Sequence, residues 1–224
     1  MFELFGTVYE VFMRTYPGFL RAAVVTLQLT AVGVILGTFI GLVFALMKIS
    51  GSKILQAIAN IYITIIRGTP LIVQIMFLYF GIVEIYTMSN FWAGAIALGV
   101  HNGAYIAEIF RGAIQGVDPG QREASMSLGM NRKQTMQRIV FPQALRRSIP
   151  PLGNQFIITL KDSSLVYIIG VAEIFSLANR EAAQSFQPFE SFIVVALYYL
   201  VLVMIFTYLL RWYENRLDVD KKTA

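Results

Sequence analysis

Residues 22–47 read AAVVTLQLTAVGVILGTFIGLVFALM and contain no charged side chain. A bilayer core of about 30 Å is crossed by about 20 apolar residues in helical form, so this stretch alone places the chain in a membrane. Two further uncharged stretches of that length follow, at 85–107 and 191–210. Two more reach it only across a charged interruption: 54–83, broken by Arg67, and 148–172, broken by Lys161 and Asp162. The expected fold is therefore all-α and integral to the membrane, with five transmembrane helices. Composition agrees: 57% of the 224 residues are hydrophobic and 14% charged, against roughly 25% charged in soluble domains.

The net charge of +5 reflects topology, not nucleic-acid binding. Basic residues in short loops stay on the cytoplasmic side. Lys48 and Lys53 follow the first span; Arg111, Arg122, Arg132, Lys133, Arg138, Arg146 and Arg147 follow the third; Arg211, Arg216, Lys221 and Lys222 follow the fifth. The opposite side carries only Arg14, Arg21 and Arg180, so the N-terminus is expected outside and the C-terminus in the cytoplasm. Cysteine is absent, which removes disulfides, thiolate metal sites and a cysteine nucleophile. Residues 1–18 carry Glu3, Glu10 and Arg14 among aromatics, unlike a signal peptide, and are expected to form a separate amphipathic segment at the membrane surface. The transmembrane domain then covers 19–216 and a cytoplasmic tail 217–224.

The longest non-spanning stretch is the cytoplasmic one after the third span. Between 117 and 142 it reads as two short helices: Asp118-Pro119-Gly120 starts the first, Gly129 ends it, Asn131 caps the second and Pro142 stops it. Apolar Met126, Leu128, Met130, Met136, Ile139 and Val140 equip the pair to dock in a protein groove or to pack on itself.

Glu123-Ala124-Ser125, then Gly129, then Ile139 and Phe141-Pro142, resembles the EAA motif of ABC importer permeases. Ser125 stands for the usual second alanine and Phe141 for the usual leucine. The stretches RGTPLIVQ at 67–74, GAYIAEIFRG at 103–112, VDPGQ at 117–121 and KDSSL at 161–165 are similar to signatures of the polar amino acid branch, and the likeness runs from about Ala22 to Arg216. The resemblance implies a type I importer fold, with Glu123, Ala124, Ser125, Gly129, Ile139 and Pro142 in coupling helices that sit on an ABC ATPase subunit. It further implies a second permease subunit, identical or paralogous, an extracytoplasmic amino-acid-binding protein, and residence in a bacterial cytoplasmic membrane. No Gly-x-x-x-x-Gly-Lys-Ser/Thr loop occurs, so ATP and Mg are expected on the partner and no cofactor on this chain.

Charged and helix-breaking residues at membrane depth cost about 2.5–3.5 kcal/mol each, so each requires a partner or a role. Arg67-Gly68-Thr69-Pro70 is expected to break the second span and line a cavity, or to be a kink whose arginine pairs with a carboxylate. His101-Asn102-Gly103 is expected to break the third span. The resemblance puts ligand contacts there, with Tyr105 and Glu108 further along one face; Glu108 alternatively pairs with Arg111 at the boundary. Lys161, Asp162, Ser163 and Ser164 interrupt the fourth span, either as an internal ion pair or with Asp162 receiving a substrate ammonium. Thr64 occupies a place where relatives moving cationic amino acids often carry a carboxylate, which favours glutamine over glutamate or cystine and puts basic amino acids last. Gly33, Gly37 and Gly41 form a small-residue face whose partner, inside the subunit or across a dimer, is open. A self-contained channel or secondary transporter would carry similar polar breaks but has no use for the docking loop. An intramembrane enzyme lacks support, because no paired His or His-Glu metal spacing occurs.

Overall fold

Backbone polar groups have no water to bond in a bilayer, so an apolar chain of this kind satisfies them within helices. The computed structural model describes residues 2–83 and 88–217, and no strand occurs among them. The start of the expected third span at Ile85, the tail from 218, and with it Lys221 and Lys222, lie outside the described residues.

Helix α1 runs unbroken from Phe2–Ile49, through Pro17. The expected division at residue 18 is thus not marked by any break in the helix. Val11 and Thr15 are buried, and the Thr15 and Tyr198 hydroxyls lie 3.0 Å apart, so the segment before Gly18 packs on its own chain. Hydroxyls on this apolar helix bond back to the carbonyl four residues earlier, Thr26 to Ala22 at 3.0 Å, Thr30 to Thr26 at 2.7 Å and Thr38 to Val34 at 2.7 Å.

Helices α2 (Lys53–Gly68) and α3 (Leu71–Val83) meet at 108°. Helix α4 (Asn90–Gln115) is continuous through His101, Asn102 and Gly103, where a break was expected. Its polar groups are absorbed without unwinding, because Asn102 Nδ2 donates to the Leu98 carbonyl at 2.8 Å and Gly103 seats against Tyr62 and Ile40. After α5 (Pro119–Ser127) and α6 (Arg132–Thr135) comes a π turn, Met136–Val140, and then α7 (Phe141–Asp162). Pro142 therefore does not stop the second loop helix. The wider i→i−5 turn carries the chain past it, with the Phe141 N–H reaching the Met136 carbonyl. A 3₁₀ segment (Ser163–Ile169), α8 (Ile174–Ser185) and α9 (Pro188–Leu217) complete the chain.

The glycine face of α1 lies against α4 inside the subunit. A Cβ at Gly33 would meet Leu98 at 2.9 Å, one at Gly37 would meet Asn102 at 2.7 Å, and one at Gly41 would meet Ile106 at 2.7 Å. Only hydrogen at these positions allows the two backbones to approach so closely. Helix α4 is consequently the buried spine of the molecule, with α1, α2, α3 and α7 around it. Helices α1 and α9 are each long and apolar enough to cross a membrane, and α2 with α3 supplies a third, bent candidate. Helices α4 and α7 fall where the third and fourth spans were expected and are more polar, with His101, Asn102, Ser148, Gln155 and Thr159 buried between elements.

Candidate functional site

At the α2–α3 break, Thr69 is extended, with φ −120° and ψ 145°, as the residue before a proline prefers. The break frees carbonyl oxygens, and Gln74 covers them. Its Nε2 donates to the Ile66 carbonyl at 2.7 Å, to the Thr69 carbonyl at 3.1 Å and to Thr69 Oγ1 at 2.8 Å. Its Oε1 lies 3.0 Å from His101 Nδ1 on α4. The His101 ring lies 5.1 Å from that of Tyr105, and the Arg67 guanidinium lies 5.2 Å from the Tyr105 centroid, within cation–π range. Tyr62 donates to the Val100 carbonyl at 2.6 Å, fastening α2 to α4 beside this cluster. Thr69 and His101 are thus joined by a residue outside the expected site set, and Tyr105 and Arg67 adjoin them through ring contacts. The signal for Gln74 was an amide in the otherwise apolar run LIVQIMFLYF. Thr64, Gly68 and Pro70 are exposed around the break, and Arg67 forms no carboxylate pair among the described residues.

Asn102 turns away from this cluster. Its Oδ1 accepts from Gln155 Nε2 at 2.7 Å and Thr159 Oγ1 at 2.8 Å, joining α4 to α7 in a fully bonded polar knot. Lys161 and Asp162 end α7 as expected, and Ser163 and Ser164 open the 3₁₀ segment. No ion pair links Lys161 to Asp162 among the described residues: neighbours in sequence on a helix do not face each other. Lys161 is exposed, Asp162 and Ser164 are half-buried, and Ser163 Oγ bonds the Leu160 carbonyl at 2.8 Å. Glu108 is held on both oxygens, by Lys48 Nζ at 2.5 Å and by Arg111 Nη2 at 2.7 Å. It forms an ion triad that ties α1 to α4 and leaves no oxygen free for a solute.

In the loop, Asp118 caps α5 by accepting from the Gly120 N–H at 2.6 Å, and Pro119 occupies the first turn where its missing N–H costs nothing. Asn131 and Gln134 form a reciprocal capping box on α6. Between them Gly129 has φ 83°, the left-handed conformation in which a side chain is strained, and open space around it. The glycine is required by the turn rather than by any neighbour within the chain. Ser125 is 5% exposed and donates to Thr135 Oγ1 at 2.9 Å, so it locks α5 to the following helix instead of facing outward. Glu123, Ala124 and Pro142 are exposed, Ile139 is half-buried and Val140 is core. Of the apolar loop residues, Met126 and Leu128 stand clear of the surface.

A bundle of apolar helices around a polar helix break, with a capped helical pair presented at one end, defines a membrane permease subunit. Residues 15–219 match the model of the binding-protein-dependent transport system inner membrane component family, and the chain belongs to that family. It is similar to the glutamine transport system permease protein GlnP of Escherichia coli (strain K12), at 37% identity over 91% of this chain and 94% of the relative. It is also similar to the arginine transport system permease protein ArtQ of Bacillus subtilis (strain 168), at 34% identity over 90% and 93%. A crystal structure of an amino acid ABC transporter with histidines superposes with a TM-score of 0.85, at 40% identity, covering 91% of this chain and 96% of that one. An inward-facing structure of the MetNI methionine ABC transporter, at 22% identity, shares the fold, with a TM-score of 0.71. The chain is an inner-membrane transport subunit.

Proposed function

We propose that this chain moves a polar amino acid inward across the cytoplasmic membrane, with glutamine as the favoured substrate. The working unit is two such subunits about a twofold axis, each with five spans and its N-terminus outside. Two ABC ATPase subunits lie beneath and an extracytoplasmic binding protein delivers the solute. ATP with Mg binds on the ATPases; their closure draws the two coupling loops together and turns the cavity outward, and hydrolysis returns it. Glu123, Ala124, Gly129, Ile139 and Pro142 serve the docking loop, with Ser125 bracing it from within.

The observation that carries the substrate reading is the inventory of charge among the candidate pathway residues. Arg67 has no carboxylate partner among the described residues and is available to a substrate carboxylate, while Asp162 is available to the ammonium. No carboxylate among the candidate pathway residues is left for a cationic side chain, since Thr64 is neutral and Glu108 is paired with Lys48 and Arg111, whereas Lys161 has no ion pair among the described residues. An uncharged amide side chain fits that inventory, and relatives bearing both glutamine and arginine in their names bracket the choice. Reconstitution in liposomes with the ATPase and binding protein, ATP on the cytoplasmic side, tests it with labelled glutamine, cystine, glutamate and arginine. Uptake of glutamine that needs every component supports the reading. Uptake by the chain alone, driven by an ion gradient and indifferent to ATP, refutes it.

A further inference from the structure

Gln74 sits one turn beyond Pro70 and is 8% exposed. The Ile66 and Thr69 carbonyls at its tip cannot donate, so the NH₂ end of the amide is compelled to face them. The carbonyl end is then compelled to face His101 Nδ1, 3.0 Å away. An amide oxygen only accepts, so the imidazole proton resides on Nδ1. In the neutral ring this leaves the lone pair on Nε2. That nitrogen bonds to no described residue, yet it is not among the polar atoms sealed from the surface.

We infer that Gln74 is a positioning residue: it clamps the helix break through its NH₂ group, holds His101 in the Nδ1–H tautomer through its oxygen, and so presents Nε2 as the acceptor for an N–H of the transported amino acid. The N–H belongs to the ammonium or to a side-chain amide, and an anionic side chain is not served by that lone pair. The ligand role rests on the proposed transport function. The tautomer does not, since it follows from the two carbonyls and one amide alone.

The chain contains a single histidine, so ¹⁵N-histidine labelling of this subunit in the complex with its ATPase reports one imidazole without ambiguity. A histidine-free purification tag keeps it so. Nitrogen NMR should show Nδ1 protonated and Nε2 bare, with glutamine shifting mainly the Nε2 signal. Gln74→Met, similar in length but unable to bond, should move the population toward Nε2–H and raise KM for uptake about 5-fold, as loss of one oriented hydrogen bond does, with a smaller change in maximal rate. Gln74→Glu still offers His101 an acceptor while donating to neither carbonyl, and should keep Nδ1 protonated. A wild-type ring protonated on Nε2 overturns the positioning role whether or not uptake occurs. An Nε2 signal indifferent to every amino acid the complex transports overturns the ligand role. A complex that transports none, but keeps the Nδ1–H signal, sinks the transport reading and the ligand role together while the positioning role of Gln74 stands.

Discussion

Leu128 is the side chain through which docking of the loop is most cleanly tested. It follows α5 and is 84% exposed, so its own chain gains almost nothing from it. Covering a leucine side chain is worth about 2 kcal/mol relative to leaving it in water. If the ATPase supplies that cover, Leu128→Ala weakens the subunit contact by about 2 kcal/mol, which is about 30-fold in Kd. Leu128→Asp weakens it further, because a carboxylate would be stripped of water in the same place. The assay is binding of the ATPase subunit to this chain in lipid nanodiscs, run beside thermal unfolding of the permease alone. Kd should rise in both variants while the unfolding temperature stays at the wild-type value, because the lost contact is not made within the chain. An unchanged Kd for Leu128→Asp would refute the docking assignment. A rise in Kd accompanied by lost thermal stability would show that Leu128 supports the loop rather than the partner.

Three other substitutions separate shape from chemistry. Gly129→Val places a β-branched residue at φ 83° with no neighbour to clash with, so the cost is backbone strain of about 1–2 kcal/mol; uptake should fall while the membrane-embedded fold, followed by circular dichroism, is retained. Gly37→Val drives a side chain into Asn102, where even a Cβ would lie at 2.7 Å, and should destabilise the α1–α4 seam by about 1–3 kcal/mol, read as a lower unfolding temperature in detergent. Asn102→Leu strands the Gln155 amide that it accepts from, and should cost about 1–3 kcal/mol in the same assay. If Asn102 contacted substrate instead, KM would rise with stability unchanged.

Membrane residence, the positions of the apolar stretches and the helical loop were legible in the chain because each rests on local chemistry. Length and apolarity are set by the bilayer, and Asp118, Gly129, Asn131 and Gln134 act on backbone groups within a few residues of themselves. The proline rule misled at Pro142, since a π turn absorbs in three dimensions what a regular helix cannot.

The partners of polar groups buried among helices were decided by the tertiary structure alone. Nothing in the spacing of Gln74 and His101, or of Asn102, Gln155 and Thr159, says which face of α4 each will meet. That depends on how closely α1 seats on α4 through its glycines and on the 108° turn at Thr69-Pro70. The sequence determined that polar groups at membrane depth need partners, because hydrocarbon offers none. Packing of whole helices assigned those partners, separating a bonded knot around Asn102 from an imidazole nitrogen at the break with no partner among the described residues.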